Sequence, residues 1–129
     1  MTTLHWKNGQ NEISNGAGFQ VIGSKAPDQQ GLSPKELLEA ALALCVSISM
    51  EKLLERDEIE VDLNALEITV KASKAEGITN RFTHFDTTVR MPEGLDEKYK
   101  KKLLVLVERA CTIGNTITNG AEITVSEVK

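Results

Sequence analysis

The stretch from Ser33 to Arg56, SPKELLEAALALCVSISMEKLLER, constrains this chain more than any other. Ser33 is an N-cap residue, and Pro34 suits the first helical position. Glu36 stands three residues after Ser33, where a capping box needs its carboxylate. From Leu37 to Met50 the polar interruptions are Glu39, Ser47 and Ser49. A surface helix shows one apolar stripe. This one is apolar nearly all round and is expected to be buried on most sides. The apolar run falls short of the ~18 residues that a spanning helix needs, and it contains Glu39, so no membrane crossing is expected. Cys45 lies at its midpoint.

Around this helix the chain alternates short strands and loops. Residues 2–8 (TTLHWKN) can form a strand, Asn8-Gly9 reads as a tight hairpin turn, and a second strand follows near 11–14. Asn15-Gly16 is another turn signal, and residues 19–22 (FQVI) make a third strand before a polar loop over 23–32. After the helix, residues 66–72 (LEITVKA) alternate as a half-buried strand. Residues 82–91 alternate too, with Phe82, His84, Asp86, Thr88 and Arg90 on one face and Thr83, Phe85, Thr87, Val89 and Met91 on the other. A second helix is expected over 95–111, with apolar positions Tyr99, Leu103, Leu104, Leu106, Val107 and Ala110 at helical spacing and Cys111 at its end. Gly114 and Asn115 interrupt the pattern, a short helical turn is expected at 116–119, and residues 121–128 (AEITVSEV) read as a closing strand.

This order predicts an α+β fold in one domain spanning residues 1–129. One small sheet covers one face of the central helix. A second subunit is therefore expected to cover the rest, making the protein an obligate homodimer. Aromatic residues are 4% of the chain, so the core rests on Leu, Ile, Val and Ala. A net charge of -4 and a pI near 5.2 argue against nucleic-acid and anionic-membrane partners. The opening MTTLHWKNGQ lacks a basic segment followed by an apolar run, so the expected location is the cytoplasm.

In a reducing compartment two cysteines are not expected to form a permanent structural disulfide. His5 and His84 each stand alone, so no metal cluster is expected. Two readings of Cys45 and Cys111 remain open. Both can be buried small hydrophobes, a common fate of free cysteine. Alternatively they are a redox pair, in which one thiolate attacks a peroxide to give a sulfenic acid and the other thiol condenses with it to a disulfide. That chemistry needs an attacking thiol of lowered pKa and a second thiol within bonding reach.

The segment SPKELLEAALALC resembles the helix motif of the OsmC/Ohr family, the osmotically inducible and organic-hydroperoxide-resistance proteins. That motif runs Ser/Asn-Pro-Glu-Glu-Leu-Leu, then Ala-rich residues, then Cys. The family's second motif, Cys-Pro-x-Ser/Gly-x-x-Leu/Ile, is similar to Cys111-Thr112-Ile113-Gly114-Asn115-Thr116-Ile117. The resemblance extends over nearly the whole chain. It implies an intertwined homodimer with long central helices wrapped by antiparallel sheets and active sites at the subunit interface. It also implies a peroxidase of oxidative stress defence. Cys45 would attack an organic hydroperoxide or hydrogen peroxide, and Cys111 would resolve the sulfenic acid. A dithiol donor such as a lipoylated protein would then reduce the disulfide, with no metal or cofactor.

The chain also departs from that pattern. Active relatives place an Arg from the N-terminal strands beside the thiolate, but here no Arg precedes Arg56. The glutamate that holds that Arg follows the motif Pro, where this chain has Lys35 and then Glu36. A cysteine in the middle of a helix is expected to get no help from a helix N-terminus, so the thiolate is expected to need a nearby cation. Lys35 is the candidate, with Glu36 in support, although capping already explains Glu36. Glu39 on the apolar helix wants a partner if buried. His84 and Arg109 are read as solvated surface residues. The alternative function is a non-catalytic relative that binds a small apolar ligand at the dimer interface. A third, a hot-dog-like thioesterase, lacks a convincing acid or base pair.

Overall fold

A computed structural model describes residues 1–27 and 29–128; Asp28, within the expected polar loop, and the terminal Lys129 lie outside the described residues. The architecture is α+β with antiparallel strand pairing. In chain order the elements are β1 (Thr2–Lys7), β2 (Gln10–Asn15), β3 (Gln20–Gly23), α1 (Pro34–Arg56), β4 (Glu67–Ser73), β5 (His84–Arg90), α2 (Glu97–Ala110) and α3 (Thr112–Asn119). Packing divides the chain into two compact units. One comprises Met1–Ala41 with Val70–Asp86, and the other comprises Leu42–Thr69 with the chain from Thr87 onward. The helix α1 and both strands of the β4–β5 sheet run through the two units.

In the first unit β1, β2 and β3 form an antiparallel meander. Lys7 pairs with Gln10, leaving Asn8-Gly9 as the two-residue turn. Both turn residues have positive φ, 51° and 79°, which is the mirror-type turn that Asn-Gly favours. Leu4, Ile13 and Val21 fall in one cross-strand row. Alternation puts Trp6 and Phe19 on the same face, and Leu4, Trp6, Phe19 and Val21 are all exposed. The chain then reaches α1 through a bridge between Gly23 and Leu32, beside Gly31 at φ 132°. A Cβ on Gly31 would lie 2.5 Å from the Ile22 carbonyl oxygen, so no side chain fits there.

The start of α1 is the expected capping box. The Ser33 N–H and hydroxyl both donate to Glu36 Oε1, at 3.0 and 2.8 Å, and the Glu36 N–H donates back to Ser33 Oγ at 3.2 Å. These bonds hold the Glu36 carboxyl below the usual carboxylate range. Glu39 has the partners a half-buried carboxylate requires. Its Oε2 accepts from Lys35 Nζ at 3.0 Å and from the Ala72 N–H at 2.7 Å. Ala72 is buried in β4, so the carboxylate satisfies a strand N–H that water does not reach. Glu39→Ala is therefore expected to destabilise the protein by about 1–3 kcal/mol, the cost of an orphaned buried donor. Urea unfolding checks it, and an unchanged midpoint would show that this N–H finds another partner.

In the second unit α1 buries Leu42, Val46, Ser49, Met50 and Leu54. Its other side keeps Leu44 and Ile48 at 62% and 42% exposure, so the single chain covers one face of the helix rather than most of it. Asp96 caps α2 by accepting the Tyr99 N–H at 2.8 Å. On α2, Leu103 and Val107 point inward, one turn apart. The Tyr99 hydroxyl donates to Asp57 Oδ2 at 2.7 Å, just beyond the end of α1. Burial and the Asp57 carboxylate together push the Tyr99 phenol up to about 12. On β4, Ile68, Val70 and Ala72 turn inward as the alternation predicts, and β5 exposes His84, Asp86, Thr88 and Arg90.

Two expectations near the C-terminus change. The helix after Cys111 is not a turn at 116–119 but a full α3 that begins at Thr112 and runs through Gly114 and Asn115. Residues 121–128 form no strand among the described residues and are exposed. Alternation alone cannot make a strand, because its hydrogen bonds belong to a neighbouring edge.

Candidate active site

Cys45 sits one turn beyond the buried Leu42 on α1, and Cys111 sits at the junction of α2 and α3. Cys111 does two jobs in the backbone. Its N–H closes α2 onto the Val107 carbonyl, and its side chain caps α3. The cap is a sulfur version of an ordinary N-cap, with Cys111 Sγ accepting the Gly114 N–H at 3.3 Å. A Cβ added at Gly114 would stand 3.4 Å from that sulfur and 3.7 Å from Leu42 Cδ1, so this turn packs closely against both.

The fold brings the two thiols together. They lie close enough for each to shift the other's pKa, and both are free cysteines. Cys111 is buried, at 2% exposure, while Cys45 is partly accessible. Burial pushes the Cys45 thiol up. Against it act the Ile113 N–H, the Cys111 thiol, the Thr112 N–H and the Ser49 hydroxyl, and their sum leaves Cys45 below the ordinary thiol value. For Cys111 the balance is reversed. Burial and the neighbouring Cys45 raise it, and the N–H groups of Gly114 and Ile113 offset only part of that.

The source of this asymmetry is a helix N-terminus. The first N–H groups of a helix have no partner within it and carry its positive dipole end. In α3 the Gly114 N–H donates to the Cys111 sulfur, and the N–H groups of Thr112 and Ile113 act to lower the Cys45 pKa. The sequence predicts no help for Cys45 from a helix N-terminus, whereas N–H groups of the first turn of α3 are among those that lower its pKa. The expected cation is not among the groups that lower the Cys45 pKa. The Lys35 ammonium is engaged with Glu39 at 3.0 Å, and Glu36 is engaged with Ser33. His84 is exposed, its Nδ1 2.7 Å from Thr83 Oγ1, and Arg109 is exposed as well.

Two contributors were missed in the sequence. The backbone donors of α3 were hidden because Gly114-Asn115 reads as a helix break. The one available signal was the second motif itself. Its usual Pro falls where Thr112 stands, and Pro is a favoured first helical residue. Ser49 was visible only as a polar interruption of the apolar run. Together these groups favour ionisation of Cys45 over Cys111, and two thiols so placed can close to a disulfide after one is oxidised.

Comparison with known proteins bears on family and fold. The family model described as OsmC-like protein matches residues 27–126. An uncharacterised protein of Mycobacterium tuberculosis (strain ATCC 25618 / H37Rv) is 31% identical over 117 residues, which cover 86% of this chain and 82% of that protein. The OsmC-like protein of Mycoplasma pneumoniae superposes with a TM-score of 0.77 at 17% identity, covering 92% of this chain and 86% of that one. The organic hydroperoxide resistance protein OhrB of Bacillus subtilis superposes at 0.63 with 21% identity, covering 90% and 87%. At such identities the two structures speak for the fold, whereas the matched model and the mycobacterial relative speak for descent. This chain belongs to the OsmC-like protein family.

Proposed function

We propose that this protein is a thiol-dependent peroxidase acting on organic hydroperoxides, and on hydrogen peroxide as a poorer substrate. The observation that carries the reading is the pair of neighbouring free thiols with opposite pKa shifts. The Cys45 thiolate attacks the terminal peroxide oxygen. The O–O bond breaks, Cys45 becomes a sulfenic acid, and the alkoxide leaves as an alcohol after taking a proton. The Cys111 thiol then condenses with the sulfenic acid, releasing water and forming the disulfide. A dithiol, small or lipoyl-bound, returns both cysteines to thiols by exchange. Leu42 and Val46, buried beside Cys45 on α1, favour an alkyl group over water at the entrance. The relative named for organic hydroperoxide resistance supports the same substrate class. No helix among the described residues is long and apolar enough to cross a membrane, and the proposed setting is the cytoplasm, in defence against oxidative stress. Cumene hydroperoxide consumption with dithiothreitol or a dihydrolipoyl protein tests the reading. Absence of turnover with an unreactive Cys45 would replace it by a ligand-binding role.

The working unit in this reading is a homodimer. Its support is the bare apolar surface of the single chain. Leu44 borders an open hollow of about 460 Å³, shared with Leu63, Leu66 and Ile68, and Ile48 lies one turn further along α1. A second α1 laid against this face would bury it. Sedimentation is expected to give a dimer for the native chain, and Leu44→Glu is expected to dissociate or unfold it. A stable folded monomer of the native sequence would remove the homodimer from the proposal.

A further inference from the structure

The helix α3, TIGNTITN, contains no good helix former. Thr112, Ile113, Thr116, Ile117 and Thr118 are β-branched, Gly114 is the poorest helix former after proline, and Asn115 and Asn119 favour caps and turns. The helix has eight residues and buries none of them. A helix this short does not hold by itself in water, so α3 depends on what fixes its ends. At the N-terminus that is the Cys111 sulfur, which accepts the Gly114 N–H at 3.3 Å. The same turn lies against α1 beside Cys45, since a Cβ on Gly114 would stand 3.7 Å from Leu42 Cδ1, three residues before that cysteine. The two helices are unequal partners. α1 runs for 23 residues and buries Leu42, Val46, Met50 and Leu54 along its length.

We propose that the Cys111 cap is a redox switch: the free thiol holds the first turn of α3 closed over Cys111, and formation of the Cys45–Cys111 disulfide releases that turn. The proposal rests on the disulfide of the reading above. There a hydroperoxide is reduced to an alcohol as Cys45 becomes a sulfenic acid. The Cys111 thiol then attacks that sulfur, the S–S bond forms, the S–O bond breaks and water leaves. Closing the bond draws two unbonded sulfurs into covalent contact, so at least one must leave its present place. Cys45 is set in the middle of the long, anchored helix. The Cys111 side chain is held on the α3 side through its sulfur, and sulfur is a weak acceptor. Cys111 is therefore the side chain that swings, and the Gly114 N–H loses its partner. In the reduced chain Cys111 is 2% exposed, so a dithiol reaches this sulfur once the turn has opened.

The test is amide hydrogen exchange in the full chain, read by mass spectrometry of the α3 peptide with the α1 peptide as internal reference. Diamide, which takes up the two thiol hydrogens and leaves a disulfide, oxidises the protein without any peroxide. On oxidation α3 should exchange about 3- to 10-fold faster, the lower part of the range for losing an N-cap, while α1 stays unchanged. Cys111→Ser keeps a preferred capping residue and should leave α3 slow. Cys111→Ala removes the cap and should show the oxidised rate with no oxidant present. If either variant loses α1 protection as well, it has unfolded, and the native chain with and without diamide decides. Equal α3 exchange in the reduced and oxidised native chain overturns the proposal. So does folded Cys111→Ala exchanging as slowly as Cys111→Ser, or failure of diamide to join the two thiols. Cumene hydroperoxide turnover decides the peroxidase reading separately, and its absence beside an intact diamide response would leave the switch standing.

Discussion

Cys45→Ser is expected to lower cumene hydroperoxide consumption by at least about a thousandfold, because a serine hydroxyl stays protonated where a thiol ionises. The N–H groups of Thr112 and Ile113 act to lower the Cys45 thiol's pKa, but they cannot make an alcohol hydroxyl ionise comparably. Cys111→Ser should behave differently. The first step survives, since the attacking sulfur is intact, and about one equivalent of peroxide is consumed per site before the enzyme stalls. Cys45 sulfenic acid then accumulates and is caught as a dimedone adduct, while the native chain shows an internal disulfide instead. Mass spectrometry separates these products. Full turnover by Cys45→Ser would sink the peroxidase reading outright. A disulfide-free catalytic cycle in the native chain would remove Cys111 from the mechanism.

Leu103→Ala should have the largest effect on stability. Leu103 is completely buried on α2, next to the lysine-rich face of the same helix. Removing its isobutyl group forfeits the transfer energy of the lost carbons and leaves a cavity, together about 2–5 kcal/mol. A domain of this size has about 5–15 kcal/mol in all, so a large part of the folded population is at stake. Urea denaturation at a fixed protein concentration measures it, since a dimer's stability depends on concentration. Lys101→Ala, on the exposed side of α2, should change stability by less than about 0.5 kcal/mol. Similar losses in both variants would show that this face of α2 is not the packed one.

Much of the fold could be read from local pattern. Ser33, Pro34 and Glu36 mark the start of α1 through side-chain chemistry confined to four residues, and the same bonds appear in the structure. Asn8-Gly9 sets its own backbone geometry, and the alternation of Ile68, Val70 and Ala72 records which side of β4 meets the interior. The candidate cysteines were also legible, through their two motifs. What activates Cys45 was not. Among the groups that lower its pKa are backbone N–H groups of α3, which every residue but proline carries and no residue type advertises. Their direction is set by where α3 begins, and that depends on the Cys111 sulfur acting as a cap. Glu39 is a second case, since its strand partner Ala72 is 33 residues away and contributes only an N–H. The 121–128 segment is a third: it has the right alternation and forms no strand among the described residues. Side-chain identity carries periodicity, capping and turn type, because these are settled within a few residues. The electrostatics of the thiol pair and the pairing of strand edges depend on which backbone groups distant segments bring together, and only folding specifies that.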